Sequence, residues 1–96
     1  MEVFLGGVLK GSPRTYEREL AQARKIYEAI HDRWNLHRPE QWRLKHILWF
    51  LRVYQSSDAA ETRYRYWLTV KKIVKRLEKE DDWTPRLNGP WTKAPR

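Results

Sequence analysis

Apolar residues return at steps of three and four along most of this chain, and strict alternation fails over any useful length. That period marks helices with one buried face rather than half-buried strands. The first such run is "SPRTYERELAQARKIYEAIHDRW", residues 12–34. Tyr16, Leu20, Ala23, Tyr27, Ile30 and Trp34 form its inner row. Ser12 has the chemistry of an N-cap, and Pro13 suits the first helical position. Glu17 and Glu19 favour the positive end of the helix dipole. The spacing predicts a helix over 13–33, broken by "NLHRP".

The second run is "EQWRLKHILWFLRVYQ", residues 40–55. Leu44, Ile47, Leu48, Leu51 and Tyr54 follow helical spacing, and Trp49 and Phe50 widen the apolar arc. This helix is expected to be the most buried, with Pro39 and Trp42 in a turn before it. "SSD" (56–58) is the next break. Asp58 followed by Glu61 predicts a capping box at the start of a third helix. Its inner row is Thr62, Tyr66, Thr69 or Val70, Ile73 and Leu77, ending near Glu80.

The flanks are less regular. In "MEVFLGGVLKG" the paired Gly6 and Gly7 weaken a helix, so residues 1–11 read as an arm or a short helical piece. In "EDDWTPRLNGPWTKAPR", Trp83 and Leu87 are expected to anchor the start to the domain. The remainder is Pro-rich and basic without periodicity, and lacks an evident way to bury itself. The expected fold is all-α: a small orthogonal bundle of three main helices plus short terminal pieces. Residues 12–82 form the helical domain and 83–96 the tail.

Length and composition sharpen this picture. Ninety-six residues make one small domain, and six Trp, five Tyr and two Phe supply the large side chains that a small core needs. Lysine and arginine total 20 against 12 acids, a net charge of +8. That balance attracts polyanions, with nucleic acid the first candidate and an anionic membrane surface the rival. The absence of cysteine excludes disulfides and thiolate metal sites and suits a reducing compartment. No apolar run has the length of a membrane span, and no signal-peptide pattern opens the chain. A cytoplasmic, nucleoid-associated protein is expected.

Catalytic chemistry finds little support. His31, His37 and His46 fall on or between different elements, without metal-ligand spacing. Gly6-Gly7 lacks the Lys-Ser/Thr of a phosphate loop. "EKEDD" (78–82) reads as a solvated helix end. No catalytic residue, metal or cofactor is expected.

The basic residues are more informative. Arg14, Arg18, Gln22 and Lys25 form a stripe on the first helix, away from its buried row. Arg65, Lys72, Arg76 and Lys79 form another on the third, with Leu68 between the first two. Lys75 lies beside that stripe, and Arg63 lies on the other flank of the inner row. Basic residues are ordinary on solvated faces, and Lys75, Arg76 and Lys79 complement the helix C-terminus. Arg63 and Arg65 sit in the first two turns, where the dipole disfavours cations. They are the sharpest candidates for binding an anion. Tyr64 and Trp67 have the chemistry to stack on bases, though their spacing also suits packing.

The ordered set of segments resembles the core-binding (SAM-like) domain of tyrosine recombinases, or phage integrases. Ser12, Thr15, Tyr16 and Leu20 match the family's opening pattern. Ile47, Phe50 and Leu51 match its second helix, and Thr62, Tyr66, Val70, Ile73 and Leu77 its third. "WTPRLNGPWTKAPR" would be the linker to a catalytic domain that this chain lacks. Trp34, Trp42 and Trp49 depart from the usual pattern. The resemblance implies a helical clamp on one side of duplex DNA, with Arg14, Thr15 and Arg18 on the first helix and Arg63, Arg65 and Lys72 on the third at the major groove. With Lys25 and Arg76 from the stripes, these are the expected DNA-binding residues. The expected partner is duplex DNA, with self-association on DNA open and no membrane or small-molecule substrate. Two other readings stay open: a basic protein-interaction domain, and a single-stranded nucleic-acid binder using Tyr64 and Trp67.

Overall fold

A computed structural model describes residues 13–93. The arm expected over 1–11, the Ser12 cap and the last three residues of the tail lie outside them. The described chain is an all-α small bundle, with no strand among the described residues. Helix α1 spans Pro13–Trp34. A 3-10 turn at Pro39–Gln41 leads into α2, Leu44–Trp49, which runs on as a π-helical turn over Phe50–Tyr54. Helix α3 spans Ala60–Arg76 and the short α4 spans Glu80–Trp83. Two further 3-10 turns, Thr84–Arg86 and Pro90–Thr92, close the described chain.

The core is drawn from the predicted rows with two additions, Ile26 and Val74, which neither row includes. Leu20, Ala23, Ile26 and Ile30 of α1 meet Ile47, Phe50 and Leu51 of α2 and Val70, Ile73 and Val74 of α3. Tyr16, Tyr27 and Trp34 flank this cluster, half-buried. Each fully buried large aliphatic or aromatic side chain contributes on the order of 2 kcal/mol of transfer free energy. Glu19, expected at the N-terminal end for its charge, is instead buried.

Helix α2 starts with a reciprocal pair. The Arg43 N–H donates to His46 Nδ1 at 2.8 Å, and the His46 N–H donates to the Arg43 carbonyl at 3.0 Å. Burial, then the charges of Lys45 and Arg43, hold the His46 pKa below its ordinary value, which favours the neutral ring that this bond requires. The helix then widens, with the Gln55 N–H donating to the Phe50 carbonyl five residues back. The wider turn moves the inward position on by one residue. Gln55 is therefore buried, while Tyr54, expected inside, is 42% exposed.

Helix α3 departs from expectation at both ends. Ala59 is its N-cap and no side chain caps it; Asp58 accepts a bond from the Gln55 amide, and Glu61 pairs with Arg65. Thr62 is exposed, and Trp67 and Thr69 are buried in the row it was expected to begin. The helix stops at Arg76 rather than near Glu80. The Glu78 N–H reaches the Lys75 carbonyl and the Lys79 N–H the Val74 carbonyl, with Glu78 at φ 60°. This double closure with a left-handed residue is a Schellman stop.

The tail buries itself after all, as far as Thr92. Trp83, Leu87 and Trp91 are all buried, and Trp91 Nε1 donates to the Leu87 carbonyl at 2.8 Å. Their spacing of four was the available signal, masked by the prolines between them. Those prolines sit in the first positions of 3-10 turns, where no N–H is needed. Gly89 is required for contact: a Cβ there would lie 2.4 Å from the Trp91 ring.

Candidate nucleic-acid interface

Helices α1 and α3 are joined by two polar ties. Thr69 Oγ1 donates to Gln22 Oε1 at 2.6 Å, and Lys72 Nζ donates to the Glu19 carboxylate. The Glu19 side chain is only 10% exposed. Gln22 belongs to the basic stripe of α1, and Thr69 and Lys72 lie one to four residues from the cations of α3. Of the α1 stripe only Gln22 meets α3; Arg14, Arg18 and Lys25 are exposed, on the side away from the buried row as expected. The ties run antiparallel, since Gln22 and Glu19 meet Thr69 and Lys72 in reverse order. Two helices that each carry exposed cations are thus packed together, which favours counter-charge close by.

The expected binding residues divide into two groups. Arg14, Arg18, Lys25, Arg65 and Arg76 are exposed, and Thr15 is half-buried. The Arg65 guanidinium is 2.6 Å from the Glu61 carboxylate one turn earlier, an exposed pair of small net worth. Arg63 and Lys72 form the second group, engaged inside the fold. Lys72 is the cation of the Glu19 tie. Arg63 donates to the Leu51 carbonyl at 2.9 Å, and its guanidinium lies 5.4 Å from the centroid of the Trp91 ring. Its position against the dipole is explained from within: it satisfies a carbonyl of the π turn and holds the tail.

Two cations outside the expected set join the interface. Lys71 and Lys75 are exposed and line a depression of about 290 Å³ together with Lys72, Leu68, Glu19 and Glu80. Leu68 remains 38% exposed there. The signal for them was the crowding of lysines in "LTVKKIVKR"; the dipole accounts for Lys75 at the helix end, and Lys71 stands outside both predicted stripes. Trp67, by contrast, is 6% exposed and packs in the core, so it offers no face to a base. Among the described residues no group of His, Asp and Glu could hold a metal ion, and no helix is long and apolar enough to cross a membrane.

No protein-family model, curated protein or solved structure matches this chain.

Proposed function

We propose that this chain is a duplex-DNA-binding domain of the core-binding kind found in tyrosine recombinases and phage integrases, and that it carries no catalytic groups of its own. One observation carries the reading: the ties Thr69–Gln22 and Lys72–Glu19 join α1 and α3, the two helices that carry the exposed cations. The phosphates of a duplex add to the counter-charge that Glu19, Glu61 and Glu80 supply only in part. Arg14, Arg18 and Lys25 on one helix and Arg65, Lys71, Lys75 and Arg76 on the other act as phosphate contacts, with Thr15 beside them. Contacts of this kind fix position and dominate affinity, while base edges supply the sequence preference. Lys72 ties the seam from inside, while Arg63 holds the tail against the π turn.

Fluorescence anisotropy on a labelled duplex at several salt concentrations tests the reading. Neutralising on the order of five phosphates gives a log–log salt slope of roughly −4 to −5. Arg18→Ala and Arg65→Ala each weaken binding and make the slope shallower by about one, whereas Lys79→Ala has a smaller effect. Absence of binding at low salt, or indifference to Arg18 and Arg65, overturns it.

A further inference from the structure

A second surface, on α2 and its π turn, has different chemistry. The rings of His46, Trp34, Trp49 and Tyr54 form a ladder of tilted and edge-on contacts, with centroids 4.6, 4.9 and 5.6 Å apart and planes at 59°, 85° and 52° in that order. The Trp49–Tyr54 step exists because the chain is π-helical there. In an α-helix residues five apart point in different directions, and the wide turn brings them together. Trp34 and Trp49 are half-buried. Val53 and Tyr54, at 59% and 42%, are the most exposed large apolar residues in the described chain.

The setting of this ladder is basic. Between Arg33 and Tyr54 the sequence has five arginines and lysines and a single acid, Glu40. Arg33, Lys45 and Arg52 are all exposed. The Arg33 guanidinium lies 5.3 Å from the centroid of the Trp34 ring, so one cation already stands on the ladder. Lys45 lies one α-helical turn before Trp49, and Arg52 lies in the π turn between Trp49 and Tyr54. Protein interfaces are also rich in Trp, Tyr and Arg, but charged residues are depleted at their core. Here aromatic rings alternate with cations, the combination that binds stacked bases joined by phosphates.

We propose that the Trp34–Trp49–Tyr54 ladder, with Arg33, Lys45 and Arg52, is a docking surface for a single strand of DNA. The choice of DNA rests on the duplex reading of the α1–α3 face. Tyr54 presents the outermost ring, and its near-parallel stack on Phe50 (5.1 Å, 17°) keeps it rigid. Lys45 and Arg52 meet the phosphates between the stacked bases.

The test titrates the full chain with oligo(dT), following tryptophan fluorescence, with Tyr54→Ala, Tyr54→Phe and Arg52→Glu as variants. The wild type is quenched on binding. Tyr54→Ala loses about tenfold in affinity, the equivalent of one base stack of roughly 1.4 kcal/mol. Tyr54→Phe binds as the wild type does, because stacking needs the ring and not the hydroxyl. Arg52→Glu weakens binding and flattens its salt dependence. All three variants retain wild-type duplex affinity, whereas Arg18→Ala and Arg65→Ala leave oligo(dT) binding unchanged, so each surface fails or stands by its own variants. Oligo(dT) affinity that is indifferent to Tyr54→Ala overturns the proposal, as does a loss in Tyr54→Phe equal to that in Tyr54→Ala. Tighter binding of oligo(rU) overturns the assignment to DNA. A dimer in sedimentation that Tyr54→Ala dissociates, with no quenching by oligo(dT), reassigns the surface to a second copy of this chain.

Discussion

Arg63 illustrates how one residue can carry the right signal for a different reason. A cation in the first turns of a helix opposes the dipole and calls for a compensating partner. The partner is internal: the Leu51 carbonyl and the Trp91 ring. A hydrogen bond from a charged donor contributes about 1.5–3 kcal/mol, and a cation–π contact about 1 kcal/mol more. These are not additive, because both act through one guanidinium. Arg63→Ala is therefore expected to lower stability by about 2 kcal/mol, read as a lower urea midpoint. Arg63→Lys recovers little of it, since an ammonium lacks the planar fork that serves both partners. The folded fraction of Arg63→Ala binds duplex DNA with wild-type affinity. A large loss of affinity with stability intact would put Arg63 back among the phosphate contacts.

At the scale of elements, helix ends are set by local backbone chemistry, and α3 ends under strain. Glu78 adopts φ 60° in its Schellman stop, a conformation that costs a residue with a Cβ about 1–2 kcal/mol. Glycine adopts it freely but is more disordered when unfolded. Glu78→Gly is expected to stabilise the domain by roughly 1 kcal/mol, a rise in melting temperature of about 4–8 °C for a chain of this size. An unchanged or lower melting temperature would mean that the Glu78 side chain contributes more than its backbone costs. This stop was not visible in the sequence, because a glutamate carries no sign of a left-handed turn. Helices α1 and α3 were legible because each repeats its apolar residues at steps of three and four for several turns. The π turn was not, since a single five-residue turn adds one position to the count, enough to exchange Tyr54 for Gln55 on the inside. The Trp83–Leu87–Trp91 row was present in the letters but hidden by its prolines. At the candidate interface the cations were legible as a set, and their division was not. Which of them turn inward depends on Glu19, Leu51 and Trp91, residues distant in sequence from Lys72 and Arg63.

For the molecule as a whole, the charge of +8 and the seam between α1 and α3 are one problem. Glu19 is a nearly buried carboxylate at the seam, tied to Lys72 and close to Lys71 and Lys75. A buried ion pair gives little net stability, yet removing one partner is costly because the other stays desolvated. Glu19→Gln keeps the shape and an acceptor for Lys72, so the expected loss is about 1–3 kcal/mol, below that of a full truncation. The same change removes a negative charge from the centre of the proposed DNA surface and loosens Lys72, whose side chain is already 30% exposed. On the duplex reading, affinity therefore rises while stability falls, and the log–log salt slope steepens by about 0.9 as one more phosphate is neutralised. Urea denaturation and anisotropy on the same preparation read the two effects. Their opposite signs are the informative result, because damage to the fold alone lowers both. If Glu19→Gln loses stability and affinity together, the seam is a structural joint only, and the phosphates are bound elsewhere on the basic surface.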